Sequence, residues 1–459
     1  MIPFIIIVAI IALTAFLLFK KFNPQGVLII AGVMMMMISL LLGNPPLELS
    51  KPTGSYLFDF FKIIEETFIS NLARAGLMIM TIGGYVAFMN KIEATNALVY
   101  VSMKPLSFFK KHPYLAATIT IPIGQILFIT TPSAAGLGLL LVASIYPVLT
   151  RLGVSKLTAL SVISAATIFD QGPGSANTAL AAELIGETNV FYFIRHQLPL
   201  VLPTTVVVML LYYFNNRYFD KKDKLREDNK NAEETVSDDT FAVNVPLIFA
   251  LLPVLPLILL IVFSPYVGLF DPPIYLNTTT AMIFSLFIAL IFVLIRSRSI
   301  RQTFDAFGSF WKGMGNVFAS VVTLIVAAEI FSKGLISLGF IDMLVSTSTH
   351  MGFSGVGISI IITVIIFSAA VLMGSGNAAF FSFGPLIPGI AKQLGMPAST
   401  MVLPMQLSAS MGRAISPIAG VIVAIAGVAG VSPMELAKRN ALPLTGSLIF
   451  LVAYHFITL

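Results

Sequence analysis

Apolar runs of about 20 residues recur along this chain, the length that one helical crossing of a bilayer needs. In the first half they cover 2–19, 26–42, 73–88, 156–185 and 198–214, and in the second half 245–263, 276–295, 316–330, 400–431 and 441–457. Two of these runs carry polar breaks. They are D-Q-G-P-G-S-A-N from Asp170 and S-A-S-M-G-R-A-I-S-P from Ser408. Between the third and fourth run of each half lies one more apolar block, 113–150 and 355–390. Each is interrupted near its middle, by I-T-T-P-S-A-A-G from Ile129 and by M-G-S-G-N-A-A-F from Met373. Unwound backbone at membrane depth exposes N–H and C=O groups that lipid cannot satisfy, so it must face protein or a watery cavity. Interruptions paired between two halves point to the binding site of a secondary transporter.

Read as re-entrant hairpins, the two blocks leave ten spans, five per half, and an odd number makes the second half insert upside down. On that topology 20 of the 27 Lys and Arg fall on the cytoplasmic side, Lys20, Lys21, Lys110, Lys111, Arg151, Lys156, Arg296, Arg298, Lys438 and Arg439 among them. Six fall outside (Lys51, Lys62, Arg74, Arg195, Lys333 and Lys392), and Arg413 lies inside a broken span. This bias follows the positive-inside rule and puts both termini outside. Two full crossings per block would preserve the same sidedness; the Pro- and Gly-flanked tips favour hairpins. The halves also match in detail: D-F-F-K-I-I-E-E-T-F precedes the third run and F-D-A-F-G-S-F-W-K-G its counterpart. Amphipathic stretches, 91–109 and 334–350, then follow both third runs. The expected organisation is a first half-repeat over 1–219 (hairpin 113–150, broken helix 156–185) and a linker over 220–240. An inverted second half covers 241–459 (hairpin 355–390, broken helix 400–431). The linker carries 13 of the 48 charged residues and almost nothing apolar, which suits a cytoplasmic tether.

Composition fixes the class. The chain is 57% hydrophobic and 10% charged, against about 25% charged in a soluble domain. The expected fold is therefore an all-α integral membrane protein. Cysteine is absent, which excludes disulfides, thiol chemistry and Cys-based metal sites. His112, His196, His350 and His455 lie near segment ends without metal-ligand spacing. No G-x-x-x-x-G-K-[ST] motif is present to bind ATP. The first apolar run has no basic residue ahead of it and Lys20 and Lys21 after it, the reverse of a signal peptide, and reads as an uncleaved span. The net charge of +6 fits loops facing anionic lipid better than nucleic acid.

The interruptions concentrate the candidate chemistry. The hairpin tips supply Thr130, Thr131 and Ser133, then Ser375 and Asn377. The breaks supply Gln171, Ser175 and Asn177, then Ser408, Ser410 and Ser416. Hydroxyls and amides wet a polar solute cheaply. Each break also creates a half-helix N-terminus, whose free N–H groups favour a carboxylate. The competing explanation for any one Ser, Thr or Gly is close helix packing. Arg413 stands apart: a transmembrane arginine costs about 2.5–3.5 kcal/mol on insertion scales, so something must stabilise it. Its planar fork fits a carboxylate, and a structural ion pair with Asp170 is the rival role. Asp170 reads as that partner, an ion ligand or a proton acceptor. Glu329 and Lys333 are spaced as a self-satisfied i,i+4 pair, and Phe380, Phe381 and Phe383 as packing.

G-S-G-N-A-A-F-F-S-F from Gly374 and S-M-G-R-A-I-S-P-I-A-G-V-I-V-A-I-A-G from Ser410 resemble the DcuC family of anaerobic C4-dicarboxylate carriers. S-A-A-G-L-G-L-L-L-V-A-S-I-Y-P-V from Ser133 and T-G-S-Y from Thr53 are similar too. The resemblance spans almost the whole chain, is most specific in the last ninety residues, and is weakest around Asp170. It implies a homodimeric inner-membrane carrier with hairpin-tipped sites, a scaffold and an elevator-type transport block. The implied activity is exchange of fumarate or malate for succinate, or succinate movement coupled to ions. The expected partners are thus a small dicarboxylate, the lipid bilayer and a second copy, with no cofactor and with Na+ or H+ as coupling ion. Thr130, Ser133, Asn177 and Asn377 are candidate Na+ ligands. Related architectures carry gluconate-like acids or amino acids, which is the alternative within transport. A channel would need a continuous pore, and an enzyme a metal cluster or catalytic triad that the spans lack.

Overall fold

The apolar runs fold as helices, which satisfy each backbone N–H and C=O inside the segment, as lipid requires. The computed structural model describes residues 2–20, 22–44, 49–103, 112–227, 245–263, 270, 274, 276–350 and 354–458. No strand occurs among them, and eight helices are long and apolar enough to cross a membrane.

The arm sequences are not separate elements. Tyr56–Asn71 runs into Leu77–Lys91 through a π turn at Leu72–Gly76, and Ile300–Val317 runs into Thr323–Ser337 through another at Phe318–Val322. The arm of each half packs on the span of the other, and the π turns touch where they cross. Small residues allow this approach: a Cβ on Gly83 would meet the Val317 side chain at 2.2 Å, and one on Gly313 the Gly83 carbonyl oxygen at 2.7 Å. Asn71 donates to Glu329 at 2.7 Å and Lys333 to Thr67 at 2.8 Å, so the Glu329–Lys333 pair (3.3 Å) also ties span to arm.

The run at 245–263 is not one continuous helix. It forms a 3-10 turn, Leu247–Leu251, and a short helix, Leu255–Val262. Pro246, Pro253 and Pro256 each lack an N–H, which stops an uninterrupted α-helix.

Each expected hairpin is a long limb, a tight turn and a short limb. The first is Pro113–Thr130 and Ala134–Ser144, and the second Gly355–Met373 and Gly376–Phe383. The broken helices are Lys156–Ala165 with Ala176–Ile185, and Ala398–Ile415 with Gly420–Val428. The first break is longer than its polar motif and the second later, beginning only at Ser416. The short limb of each hairpin packs on the second piece of the other half's broken helix.

The expected linker starts too early. The helix Leu198–Glu227 continues through Asp220, which is 2% exposed; residues 228–240 of that linker lie outside the described residues. Asp220 Oδ1 accepts from Arg439 Nη2 at 2.8 Å, Ser155 Oγ at 2.7 Å and Thr158 Oγ1 at 2.8 Å, and Oδ2 from the Tyr114 hydroxyl at 3.3 Å. The last helix of each half, Leu198–Glu227 and Pro433–Ile457, also packs against its counterpart. Tyr212 donates to Asn440 at 3.1 Å, and the Asn215 amide to the Arg439 carbonyl at 3.0 Å. Hairpins, broken helices and these two last helices thus share one large core. The same core takes in residues of the first two spans and of Thr323–Ser337, such as Ile7, Leu28, Met35, Phe331 and Leu335, while smaller apolar clusters around Tyr85, Phe249 and Phe310, and around Phe60 and Ile330, hold the arms.

Candidate functional site

The four interruptions meet in one place. Gly172, with φ +95°, brings the first break against the first hairpin, where a Cβ would strike the Ile129 side chain at 2.7 Å. A left-handed φ and that contact together call for glycine. At the second pair of interruptions, a Cβ on Gly376 would lie 2.8 Å from the Ala409 carbonyl oxygen. Hydrogen bonds then join the two breaks across more than 230 positions of sequence. Arg413 Nη2 donates to the Thr167 carbonyl at 2.6 Å, and Gln406 Nε2 to the Asp170 carbonyl at 3.1 Å.

Three half-helices start on a serine cap. Ser133 Oγ accepts from Gly136 N–H at 3.3 Å, Ser375 Oγ from Ala378 N–H at 3.1 Å, and Ser175 Oγ from Asn177 and Thr178 N–H at 3.1 and 3.2 Å. These hydroxyl oxygens fix the N-termini whose remaining N–H groups favour anions. Thr130 bonds back to the Leu127 carbonyl at 2.8 Å, Thr131 is buried at the first turn, and Asn377 sits half-buried beside the second. Ser408 is absorbed by packing, donating toward the Met405 and Thr363 carbonyls.

The polar groups left over divide by chemistry. On the first break, Asp170 Oδ1, Gln171 Oε1 and Asn177 Oδ1 are buried acceptors with no partner. Asp170 Oδ2 accepts from Asn177 Nδ2 at 3.0 Å. On the second break, Arg413 Nε and the Ser410 and Ser416 hydroxyls are buried and unpartnered, although the Arg413 side chain as a whole stays partly accessible. Arg413 and Asp170 lie close enough to attract each other, yet no direct ion pair joins them. Buried polar atoms cost about 1–3 kcal/mol each when unpaired. Six such atoms, one on each of two opposite charges among them, lie on the two breaks.

Several residues that build this site went unnoticed in sequence. Gln197, on the π turn Phe193–Gln197, accepts from Gly172 N–H at 3.1 Å and donates to Thr178 at 2.9 Å and Gln406 at 3.1 Å. Tyr192 donates to Gln406 at 2.9 Å, and Asn189 to the Pro173 carbonyl at 3.0 Å. Asn440 donates to Ser164 and to the Ala414 carbonyl, both at 2.8 Å. Asn440 on the last helix of the second half, and Gln197 on the turn that leads into the last helix of the first, thus each send an amide to the broken helix of the other half. Buried Gln and Asn inside apolar helices were the available signal.

The comparisons agree with this architecture. Residues 2–459 match the family model DcuC, C4-dicarboxylate anaerobic carrier. The anaerobic C4-dicarboxylate transporter DcuC of Escherichia coli K12 is 30% identical over 436 residues, 95% of this chain and 92% of that protein. A probable anaerobic C4-dicarboxylate transporter DcuC of Vibrio cholerae is 31% identical over 435 residues, 94% of this chain and 93% of that one. Among solved structures, Neisseria gonorrhoeae MtrF, described as illuminating a class of antimetabolite efflux pumps, superposes with a TM-score of 0.64 at 14% identity, covering 95% of this chain and 96% of its own. The Alcanivorax borkumensis YdaH transporter gives 0.60 at 14% identity, covering 94% and 98%. At that identity the structures speak for the fold, while the sequence matches settle the family: this chain is a multi-pass inner-membrane carrier that belongs to the DcuC family.

Proposed function

We propose that this chain moves C4-dicarboxylates such as succinate, fumarate and malate by alternating access at the four-way junction. The observation that carries the reading is the unpartnered Arg413 Nε beside three serine-capped half-helix N-termini. These are several anion-favouring groups for one divalent anion. Ser410 and Ser416 are further donors, with Thr131, Ser133, Ser375 and Asn377 lining the hairpin side. Gln171, Ser175 and Asn177 line the first break, and Asp170 holds the coupling cation or proton. In this reading the halves are inverted repeats of five spans, the hairpins re-enter, and the block containing both last helices slides as an elevator past the arms and their spans. The carrier works as a homodimer. The hydrogen bonds that join the two broken helices to each other and to both last helices support such a block.

Proteoliposomes loaded with fumarate should take up labelled succinate faster than empty ones, and with an imposed Na+ or pH gradient the rate should follow the coupling ion. Equal uptake with and without internal fumarate, rising without saturation, would point to a channel. The topology has its own test. No native cysteine is present, so single cysteines at exposed Lys222 and Lys392 report sidedness. In intact cells a membrane-impermeant maleimide should label position 392 and spare 222. The opposite pattern overturns the orientation.

A further inference from the structure

The two arms are alike in shape and opposite in charge. Tyr56–Asn71 carries Asp59, Glu65 and Glu66 against Lys62 alone, and Lys62 is paired to Glu65 at 2.8 Å. The other arm, Ile300–Val317, with the two arginines just before it, carries Arg296, Arg298, Arg301 and Lys312 against Asp305 alone. Arg298, Arg301 and Lys312 are exposed and enter no ion pair among the described residues. Arg298 is held in a left-handed turn (φ 50°) at the joint between Thr278–Ser297 and the arm, where its N–H bonds the Leu294 carbonyl.

The basic arm is also amphipathic in a particular way. Thr303, Ala306, Phe310 and Gly313 face inward, and Phe310 packs on Gly84. The outer face carries Ile300, Phe304 and Trp311, which are 68%, 67% and 58% exposed, with Arg301 and Lys312 beside them. Trp311 is steadied by Phe307 and Phe310, with ring centroids 5.5 and 5.1 Å away. A tryptophan and apolar residues alternating with cations on one helix face match a headgroup boundary, not bulk water or hydrocarbon. Basic groups at that level attract anionic lipid.

We propose that the arm Ile300–Val317 binds anionic phospholipid headgroups of the cytoplasmic leaflet through Arg298, Arg301 and Lys312, with Phe304 and Trp311 inserted among the acyl chains. The acidic arm, on the opposite side, does not. The arm belongs to the part that stays still while the block moves, so the contact anchors the scaffold. The inference rests on the proposed orientation and on no property of the substrate site.

Trp311 is the single tryptophan of the chain and reports this contact directly. Purified protein is reconstituted with equal mole fractions of brominated phosphatidylglycerol or brominated phosphatidylcholine, and Trp311 fluorescence is read. Quenching by the brominated anionic lipid should be clearly greater. That excess should vanish in about 0.5 M salt, where the Debye length is only a few ångströms, and in the R298Q/R301Q/K312Q variant. Should that variant fail to reconstitute, the salt titration of the wild type and the K312Q variant alone carry the test. Equal quenching by both lipids overturns the proposal, as does an excess that survives salt. So does quenching by neither lipid, which would mean that protein, such as a second copy, covers the arm. Transport is not measured, so a wrong substrate assignment leaves this test intact.

Discussion

Arg413→Ala should abolish dicarboxylate transport while leaving a folded protein, because most of what holds Arg413 is a single carbonyl. Its Nη2 meets the Thr167 carbonyl at 2.6 Å, while Nε has no partner. Asp170 is no tight structural mate either, since one carboxylate oxygen is taken by Asn177 at 3.0 Å and the other is unpartnered. In the proposed reading a carboxylate entering the site would accept from the free Nε. Truncating one side of a desolvated charge pair costs about 2–5 kcal/mol, which is roughly a 300-fold loss of affinity at the middle of that range. Arg413→Lys keeps the charge and loses the fork, so succinate binding should weaken less but measurably. The structural role makes a different prediction. If Arg413 only balances Asp170, then Arg413→Ala with Asp170→Asn restores both expression and exchange. Binding and exchange of succinate by purified single and double variants decide between them, and recovery by the double variant would remove Arg413 from the substrate site.

The parts of the fold that could be read from sequence were those where chemistry breaks a pattern. Asp170-Gln171-Gly172-Pro173-Gly174 cannot continue a helix, and the turn at Gly374-Ser375 announces itself by a glycine and an N-cap in the middle of an apolar run. Other signals are ambiguous because their meaning is tertiary. Pro122, Pro203, Pro404 and Pro443 lie within helices that continue through them, whereas Pro253 separates the 3-10 turn Leu247–Leu251 from the helix Leu255–Val262. The missing N–H is the same in each case; the packing around it differs. The residues that join the breaks were illegible for a related reason. Gln406 meets Tyr192 and Gln197 from more than 200 positions away, and no local window contains that pairing. Asp220 was misplaced because charge density was read without depth. It opens a run of charges that looks like solvated linker, yet its own side chain is covered.

Asp220→Ala should be among the most destabilising single changes in the chain. Its carboxylate gathers the base of the first hairpin (Tyr114), the start of the first broken helix (Ser155 and Thr158) and the last helix (Arg439), with side chains at 2.7 to 3.3 Å. The Asp220 and Arg439 side chains are 1% and 3% exposed, so water cannot replace what the substitution removes. Breaking a buried pair by deleting one partner costs about 3–5 kcal/mol. For a protein of 459 residues that corresponds to a melting temperature lower by about 3–5 °C. The cost comes mainly from the buried guanidinium that loses its carboxylate, which makes a second variant informative. Arg439→Met in the Asp220→Ala background removes that charge and should recover a large part of the loss, since replacing a whole buried pair by apolar groups is often close to neutral. Recovery should remain incomplete, because Ser155, Thr158 and Tyr114 still lose their acceptor. Thermal unfolding of the purified protein in detergent, followed by aggregation or Trp311 fluorescence, checks both steps. A single Asp220→Ala variant that melts with the wild type would mean that apolar packing and the Asn440 bonds hold the last helices to the broken helices without this cluster.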